Sequence, residues 1–393
     1  MGWNFAYNIA QFHDVHVLVE TKFKKNLLQY ATENPEHVRN ITFHFIQKKR
    51  NRTLRKIWPP SYYWFYREWH KKAYHYAVEL DKKENFDLVH QITIASFRVP
   101  GLLWKLNKPF IWGPVGGLNQ TDRKLLSGMG AYVTVFYTMR NLINLYQKKW
   151  GAAARIVAKK AHTIFACDPS SKQEIDSYWG INSIVLREVS LPSIDNFKKS
   201  HHSPDTPLDV CWAAVHEPRK ALPLLLKARA LCKRKIRLHI FGDGPCSKKW
   251  KEMSYKLGID SDCIFYGKLP REQVLQKMSV CHIFCITSIS EGGTTTTVAE
   301  AMGMGLPLLA LDHCAYGSAI DESCGIKIKI TDAKQIVSDL ASNLDLLAKD
   351  ELLRNKLSEG AKKRSSIFSW ILKMETINKA YLNAAKSANC QNE

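Results

Sequence analysis

The sequence has no apolar run long enough to span a membrane and no paired Cys-x-x-Cys motif. Without 18 consecutive apolar residues, a spanning helix is not expected. The first twenty residues lack the basic start, apolar centre and small-residue cleavage site of a secretory signal, which predicts a cytoplasmic protein. The ten cysteines stand singly in a chain of 393 residues. They do not resemble a disulfide scaffold or a zinc module, so we expect them to be reduced and mostly buried.

Acidic residues are scarce relative to basic ones, above all in the first half. The chain holds 57 Lys+Arg against 36 Asp+Glu, a net charge of +21. Residues 1–200 alone carry 30 basic and 15 acidic side chains. The positive electrostatic field of such a chain attracts nucleic acid, a phospholipid surface or an acidic or phosphorylated substrate. Net charge alone does not distinguish among these three partners.

Short strand candidates alternate with helical patterns along both halves. They span 15–19, 41–46, 87–91, 109–113 and 162–166, then 208–215, 236–241, 263–267, 281–288 and 306–312. This alternation predicts α/β domains whose parallel sheets are covered by helices on both faces. A polar, proline-containing patch at 200–207 suggests a domain boundary, so we predict an N-terminal domain over 1–203 and a C-terminal domain over 204–367. Helical spacing over 368–385 predicts that the terminal segment, 368–393, contains a helix that either braces the two domains or lies on the surface.

The stretch SEGGTTTTVAEAMGMGLPLLALD, residues 290–312, follows an apolar strand and predicts an anion site. Gly292 and Gly293 allow a ligand to approach the backbone closely. Thr294 is expected to cap the following helix, whose first free N–H groups would face a diphosphate together with the hydroxyls of Thr295 and Thr296.

Two glutamates of the same stretch have the chemistry to bind hydroxyls. Glu300 lies about two turns into the helix, and a carboxylate there can accept from the two hydroxyls of a ribose. Glu291, on the turn, is placed to meet a hydroxyl of a second ring. The alternatives are a capping role for Glu291 and a solvated helix position for Glu300.

In order, the segments IFGDGP, CIFYGKLPREQV, ITSISEGG and AEAMGMGLPLLALD resemble the C-terminal domain of retaining glycosyltransferases of the GT-B fold, family 4. The resemblance covers roughly residues 210–315, and FSW before the last helix is similar to the family's closing segment. It implies two Rossmann-like domains that face each other across a cleft. In that family the later glutamate, here Glu300, holds the nucleotide ribose, and the earlier, here Glu291, contacts the donor sugar or supports its transfer. The family usually has seven residues between the two glutamates, and this chain has eight.

Basic residues precede the first helix of the second half. Arg219 and Lys220 lie just before a helix expected to start at Pro223, where cations would neutralise a departing diphosphate. The family often has G-R-L-x-x-x-K-G here. In this chain Val215 takes the arginine position and Lys220 the lysine position, so Arg219 is expected to substitute. The alternative is a pair of surface basic residues.

Further donor contacts follow from the resemblance, and no metal or other cofactor is expected. The family pattern places Gly244 beside the nucleotide and Tyr266, Gly267 and Lys268 along its base. The D-x-D sequence at 260–262 is like a metal motif of another glycosyltransferase fold, but it falls where this family has ordinary polar residues. We therefore expect a nucleotide-diphosphate sugar as co-substrate and no divalent ion.

In the first half, DLVHQ and PFIWGPVGG place polar and glycine residues at strand ends that should open into the cleft. The second segment resembles a family 4 branch with a W-G-P-x-G-G signature. Many relatives have a histidine after this strand, and its absence makes His90 the nearest candidate for handling a proton, with a structural histidine as the alternative. The candidate acceptor-binding residues are Trp3, Asn4, Arg98, Trp112, Gly116 and Gly117.

Residues 1–4 already match the glycine-rich turn that follows the first strand in the family, with Gly2 on the donor side. The first parallel strand is therefore expected to be missing, through a late start or a truncation. Its loss would leave backbone groups of the sheet unpaired.

The segment 47–77 combines nine Lys+Arg with many aromatic residues. This mixture suits an anionic membrane interface, single-stranded nucleic acid or a solvated helix face. No nucleic-acid signature accompanies it, and a lipid-linked acceptor would account for the same charge, so membrane contact is favoured.

The sequence as a whole predicts a retaining glycosyltransferase that moves a sugar from a nucleotide-diphosphate sugar to a glycan or lipid-linked acceptor. The expected process is surface polysaccharide assembly (lipopolysaccharide, capsule or exopolysaccharide). The expected location of the protein is the cytoplasm, or the inner face of the membrane as a peripheral protein. Two alternatives stay open. One is a non-catalytic membrane- or polyanion-binding protein on a degenerate GT-B scaffold, and the other is a GT-B nucleotide-sugar epimerase.

Overall fold

A computed structural model describes residues 1–58, 60–126, 130–191, 206–293 and 295–389. The first half contains α1 (Gly2–Ile9), β1 (Val15–Glu20), α2 (Lys24–Glu33), α3 (Pro35–Val38), β2 (Ile41–Ile46), α4 (Arg52–Ile57), α5 (Ser61–Glu84), β3 (Val89–Gln91), β4 (Phe110–Val115), α6 (Arg123–Leu126), α7 (Ala131–Trp150), α8 (Ala152–Lys160), β5 (Thr163–Ala166), α9 (Pro169–Trp179) and β6 (Ile184–Val185). The second half contains β7 (Leu208–Ala213), α10 (Leu222–Leu231), β8 (Ile236–Phe241), α11 (Ser247–Lys256), β9 (Cys263–Gly267), α12 (Arg271–Ser279), β10 (Ile283–Ile286), α13 (Thr296–Gly303), β11 (Leu308–Leu311), α14 (Tyr316–Ala319), β12 (Gly325–Ile328), α15 (Ala333–Lys349), α16 (Glu351–Arg364) and α17 (Trp370–Asn389).

The second half is built on a parallel sheet of order β12-β11-β10-β7-β8-β9. Strands β10 and β11 are apolar and buried along their whole length, since both faces of the sheet are covered. Alternate residues of β7 and β10 enter two separate cores, one formed with α10 and α15 and the other with α13. The chain therefore leaves β7 on one face and β10 on the other. A crevice forms at such a topological switch point, outside the carboxyl ends of the strands.

The first half holds two parallel sheets, β1-β2 and β3-β4-β5-β6. Where one continuous sheet was expected, β1 pairs only with β2 and β3 only with β4 within the described ranges. The expected glycine turn at the start is the first turn of α1, which begins at Gly2. The predicted domain boundary at 203/204 falls outside the described residues.

Helix α17 braces the two halves. Phe368, just before it, is buried in a core of the second half. Met374, Ile377 and Ala384 of the helix instead pack in a core with residues of the first half, including Phe5. Of the two positions expected for this helix, the bracing one is confirmed.

Several boundaries differ from the sequence predictions. Helix α10 begins at Leu222, one residue before Pro223. Helix α13 begins at Thr296 with Thr295 as its N-cap, and the expected cap, Thr294, lies outside the described residues. In the described part of the chain, no helix is both long and apolar enough to cross a bilayer.

Candidate active site

Two loops meet at the switch point of the second sheet. The loop after β7 contains a short 3-10 helix, Pro218–Lys220. The loop after β10 is bound to it, because the Ile289 N–H donates to the Arg219 carbonyl at 2.8 Å and the Thr287 hydroxyl donates to the Lys220 carbonyl at 2.8 Å. These bonds fix the basic pair of the first loop against the SEGG turn of the second.

Glu291 accepts from both basic residues. Arg219 Nη1 donates to its Oε2 at 2.7 Å, and Lys220 Nζ donates to its Oε1. Arg219 also pairs with Glu217, Nε to Oε2 at 2.9 Å. Burial acts against the charge of Arg219, but Glu291 and Glu217 outweigh it and raise the pKa of the guanidinium. Burial lowers the pKa of Lys220, and Glu291 opposes that shift. Both side chains thus converge on one carboxylate, which lies between them.

A cavity of about 440 Å³ opens in front of this cluster, between the two halves of the chain. Its walls are formed by Phe136, Tyr137 and Arg140 from α7, and by Arg219, Ser290, Glu291 and Gly292. Arg140 Nη1 donates to the Ser290 hydroxyl at 2.8 Å. With Arg140, Arg219 and Lys220 against Glu217 and Glu291, the cluster has a net positive charge. A cavity of this size and charge suits an anionic, drug-sized ligand.

The two halves touch directly at the glycines of the cleft. A Cβ built on Gly116 would lie 2.6 Å from the Gly292 carbonyl oxygen and 2.7 Å from Cys167 Sγ. The Cys167 thiol itself donates to the Gly292 carbonyl at 3.1 Å. Only a residue without a side chain permits this approach. Gly116 therefore lies at the cleft, and Gly117 lies beside it, since a Cβ built on Gly292 would be 3.9 Å from the Gly117 backbone nitrogen.

The predicted ribose ligand, Glu300, is buried in α13 with a side chain that is 5% exposed. Arg271, from the start of α12, donates to its Oε1 through Nε at 2.8 Å and Nη2 at 2.7 Å. Burial raises the pKa of Glu300, and the ion pair with Arg271 opposes the shift. Nearby, the hydroxyl oxygens of Thr295 and Thr297 are hydrogen-bonded at 3.2 Å, and Thr296 is exposed. The role of Arg271 was not predicted from the sequence.

The remaining donor candidates lie along the carboxyl ends of β8 and β9. Gly244 approaches the chain so closely that its Cβ would be 2.7 Å from the His216 carbonyl oxygen. Tyr266 stacks on Phe241 with ring centroids 4.7 Å apart. Gly267 has a φ of +68° and Lys268 is exposed. These residues do not line the cavity beside Glu291.

Two predicted residues of the first half, Trp112 and His90, lie in structural contacts, outside the residues that line the cavity. Trp112 is 1% exposed and stacks on Trp179 with centroids 5.7 Å apart. His90, in the middle of β3, bonds through Nδ1 to the Tyr381 hydroxyl at 2.7 Å and through Nε2 to the Gly113 carbonyl at 2.9 Å. Burial lowers the pKa of His90 to about 4, so its ring is neutral.

Arg98 is held by two side chains of α7, Gln147 Oε1 at 2.7 Å and Asn144 Oδ1 at 2.5 Å. At the start of the chain, Trp3 packs edge-on against Tyr30 at 4.8 Å, and a Cβ on Gly2 would lie 3.8 Å from Thr93. Asn4 is exposed, and its carbonyl accepts from the Asn8 side chain at 2.8 Å. The acceptor roles of these residues stay predictions.

The D-x-D sequence at 260–262 and the cysteines of β10 and its N-terminal approach do not form a metal-binding cluster. Asp262 pairs with Arg229 at 2.9 Å. Cys281 and Cys285 are buried, and all nine cysteines of the described residues are free thiols. Across the described residues, no group of three or more His, Cys, Asp or Glu side chains is arranged to hold a metal ion.

Known proteins resemble this chain in sequence and in fold. Residues 193–364 match the family described as Glycosyl transferases group 1. A lipopolysaccharide 1,6-galactosyltransferase of Salmonella typhimurium is 38% identical over 82 residues, which are 20% of this chain and 22% of that relative. Sucrose-phosphate synthase from Thermosynechococcus elongatus superposes with a TM-score of 0.65 at 14% identity, over 97% of this chain and 91% of its own. HepE from Anabaena, solved in complex with UDP, superposes with a TM-score of 0.60 at 15% identity, over 90% and 89%.

The fold is GT-B. The two halves are the Rossmann-like lobes of that fold, and the cavity lies in the cleft between them. Membership of family 4 and of the W-G-P-x-G-G branch stays a prediction.

Proposed function

We propose that the chain is a retaining glycosyltransferase that moves a sugar from a nucleotide-diphosphate sugar to a glycan or lipid-linked acceptor in surface polysaccharide synthesis. The observation that carries the proposal is Arg219, which lines a cavity of about 440 Å³ at the switch point of the second lobe and, together with the buried Lys220, pairs with Glu291. The match to the group 1 glycosyltransferases and the similarity to a lipopolysaccharide galactosyltransferase support it. The UDP complex of HepE, a protein of the same fold, supports a nucleotide donor.

The residues would divide the work of transfer as follows. Arg219 and Lys220 stabilise the negative charge that develops on the leaving diphosphate, which removes the need for a divalent ion. Glu300 accepts from the ribose hydroxyls, and Glu291 contacts the donor sugar while orienting the two cations. The acceptor attacks from the face that the diphosphate leaves, and the leaving phosphate takes the acceptor proton, so the anomeric configuration is retained.

The proposed location is the cytoplasm, at the inner face of the membrane. The basic and aromatic segment 47–77 supports the contact, since Ile57 is 78% exposed and Trp58 is 49% exposed at the end of α4. Other parts of the segment are engaged inside the lobe: Trp69 is buried and Lys48 pairs with Glu20 at 3.6 Å.

The test is release of nucleoside diphosphate from a panel of nucleotide sugars, with and without purified lipopolysaccharide of truncated core as a trial acceptor. Release that requires the acceptor, resists EDTA and yields a product of unchanged anomeric configuration is the expected result. Interconversion of the sugar without acceptor would instead identify an epimerase. Binding to anionic vesicles without affinity for any nucleotide sugar would identify a non-catalytic binding protein.

A further inference from the structure

Helix α7 carries a continuous set of large apolar side chains on its solvent face, which we call the α7 stripe. Its members are between 50% and 81% exposed: Tyr132, Val135, Phe136, Met139, Leu142, Ile143, Tyr146 and Trp150. At the helical spacing of about 100° per residue, all eight fall within an arc of about 120° and extend over about 27 Å of helix.

The orientation of α7 is fixed by polar contacts on its buried face. Asn144 donates through Nδ2 to the Leu118 carbonyl at 2.8 Å. Lys148, which is 1% exposed, pairs with Glu174 at 2.5 Å. A surface helix ordinarily turns its apolar face to the core and its polar face to water. In α7 the apolar face points to water and polar side chains lie on the buried face. A large exposed apolar patch of this kind marks a contact surface.

The charge around the α7 stripe selects an anionic partner. Residues 123–167 contain eight Lys+Arg and no Asp or Glu. Lys149 is exposed within α7 itself. The stripe also contains Tyr132, Tyr146 and Trp150, whose rings have an apolar body and a polar group, the combination that favours a membrane interface. An apolar face bordered by lysine and arginine is the composition of helices that lie in the headgroup layer of a bilayer.

The α7 stripe borders the cavity of the candidate active site. Phe136 belongs to both, and Arg140, one turn further, lines the cavity beside Arg219 and Glu291. A surface that covers the stripe therefore lies next to the mouth of the cavity.

We propose that the α7 stripe docks the protein on an anionic phospholipid bilayer, with the cavity opening at the level of the headgroups. A second copy of the chain would bring two copies of the basic segment 123–167, which contains no Asp or Glu, close together, and this repulsion disfavours it. Nucleic acid supplies phosphates but no apolar layer for eight side chains. Docking in this orientation presents the cavity to an acceptor anchored in the bilayer, and this consequence for the acceptor rests on the proposed function.

The experiment is cosedimentation of the full chain with vesicles of phosphatidylcholine, with or without phosphatidylglycerol. The wild-type protein should bind the anionic vesicles at least about tenfold more tightly than the neutral ones, and the triple variant Met139→Ser, Ile143→Ser, Tyr146→Ser should lose at least about tenfold in that binding. A matched control, Leu352→Ser, Ile371→Ser, Leu382→Ser, removes three side chains that are 83%, 74% and 58% exposed on α16 and α17. It should bind the anionic vesicles within about twofold of wild type.

Circular dichroism shows that each variant is folded, and calorimetry with a panel of nucleoside diphosphates that includes UDP separates the two proposals. A protein that docks through the α7 stripe but binds none of these nucleoside diphosphates supports the docking and overturns the transfer. Equal vesicle binding by wild type and the α7 variant overturns the docking, whatever the UDP affinity. Light scattering could instead detect a dimer of the wild-type protein and a monomer of the α7 variant. That result would assign the stripe to contact with a second copy and would overturn the proposal of bilayer docking.

Discussion

Arg219 donates to Glu291 at 2.7 Å, although the two residues are separated by 72 positions in the chain. They meet because β7 and β10 are neighbours in the sheet, so the loops at their carboxyl ends share one edge. Arg219 and Glu291 both line the cavity, and Lys220 donates to the other carboxylate oxygen of Glu291. An incoming diphosphate would thus meet two cations that one carboxylate already orients.

Arg219→Ala should reduce turnover far more than donor binding. Removing one of two cations that stabilise a developing charge costs about 100-fold or more in kcat, whereas Lys220 still attracts the ground-state diphosphate. Steady-state kinetics with the identified donor would measure both values. Arg234→Ala removes an exposed arginine elsewhere in the same lobe and should leave kcat unchanged. Equal kcat in the two variants would remove Arg219 from the proposed mechanism.

Glu300→Ala should weaken UDP binding by about 10- to 100-fold, because hydrogen bonds to a charged group contribute about 1.5–3 kcal/mol. Arg271 holds the carboxylate at 2.7 Å, so Arg271→Ala should weaken binding by a smaller factor. Calorimetry with UDP measures both. Glu359→Ala, at a side chain that is 69% exposed on α16, is the control. Unchanged affinity in Glu300→Ala would contradict the ribose assignment.

Gly116→Ala should lower kcat/KM by about tenfold or more, since misplacing the reacting groups by a fraction of an ångström is costly. The added Cβ would lie 2.6 Å from the Gly292 carbonyl, so the two lobes must separate slightly. Gly258→Ala is a useful comparison, because its φ of +67° causes backbone strain but nothing lies within 4 Å of the added Cβ. It should lower stability by about 1 kcal/mol without changing kcat/KM. If both variants keep full activity, the contact between Gly116 and Gly292 does not set the geometry of the cleft.

Glu188 predicts a pH dependence of stability. One of its carboxylate oxygens is buried without a hydrogen-bond partner. Burial and then the nearby Asp168 raise the pKa of Glu188 from 4.5 to about 7, while Cys167 and Lys373 oppose the shift. Because the folded protein holds this proton more tightly than the unfolded chain, stability falls as the pH rises from about 4.5 to 7.

The substitution Glu188→Gln removes that titration. The melting temperature of the variant should therefore rise relative to that of the wild type as the pH increases from 5 to 8. Burial also lowers the pKa of Lys373 to about 7, and Lys373→Met in both backgrounds separates its contribution. Thermal unfolding at each pH is the measurement. A difference between wild type and Glu188→Gln that stays constant over this range would show that Glu188 is ionised throughout.

The second lobe could be predicted closely from sequence because its signals are local. Strand β10 is a short apolar run followed by glycines, and α13 follows at once, so Glu291 and Glu300 could be assigned to the ends of known elements. Contacts between distant segments could not be predicted in this way. Arg271 pairs with Glu300, and Arg140 reaches Ser290, only through the arrangement of strands and lobes.

The first lobe shows where local patterns fail. Trp112 was expected at the cleft because it comes near the end of a strand, but β4 is buried along its whole length and the ring points into the core. Helix α7 has the apolar spacing of an ordinary core-facing helix, and only the structure shows that this face is exposed. The absence of acidic residues over 123–167 was the one signal in the sequence that could have drawn attention to Arg140 and its helix.

The central claim, that the leaving diphosphate binds at the switch point of the second lobe, is tested most directly by a crystal structure with UDP. We predict diphosphate oxygens at about 3 Å from Arg219 and Lys220, with the ribose hydroxyls at the Glu300 carboxylate. A diphosphate bound anywhere else in the protein, with Arg219 and Lys220 still paired only to Glu291, would contradict the account.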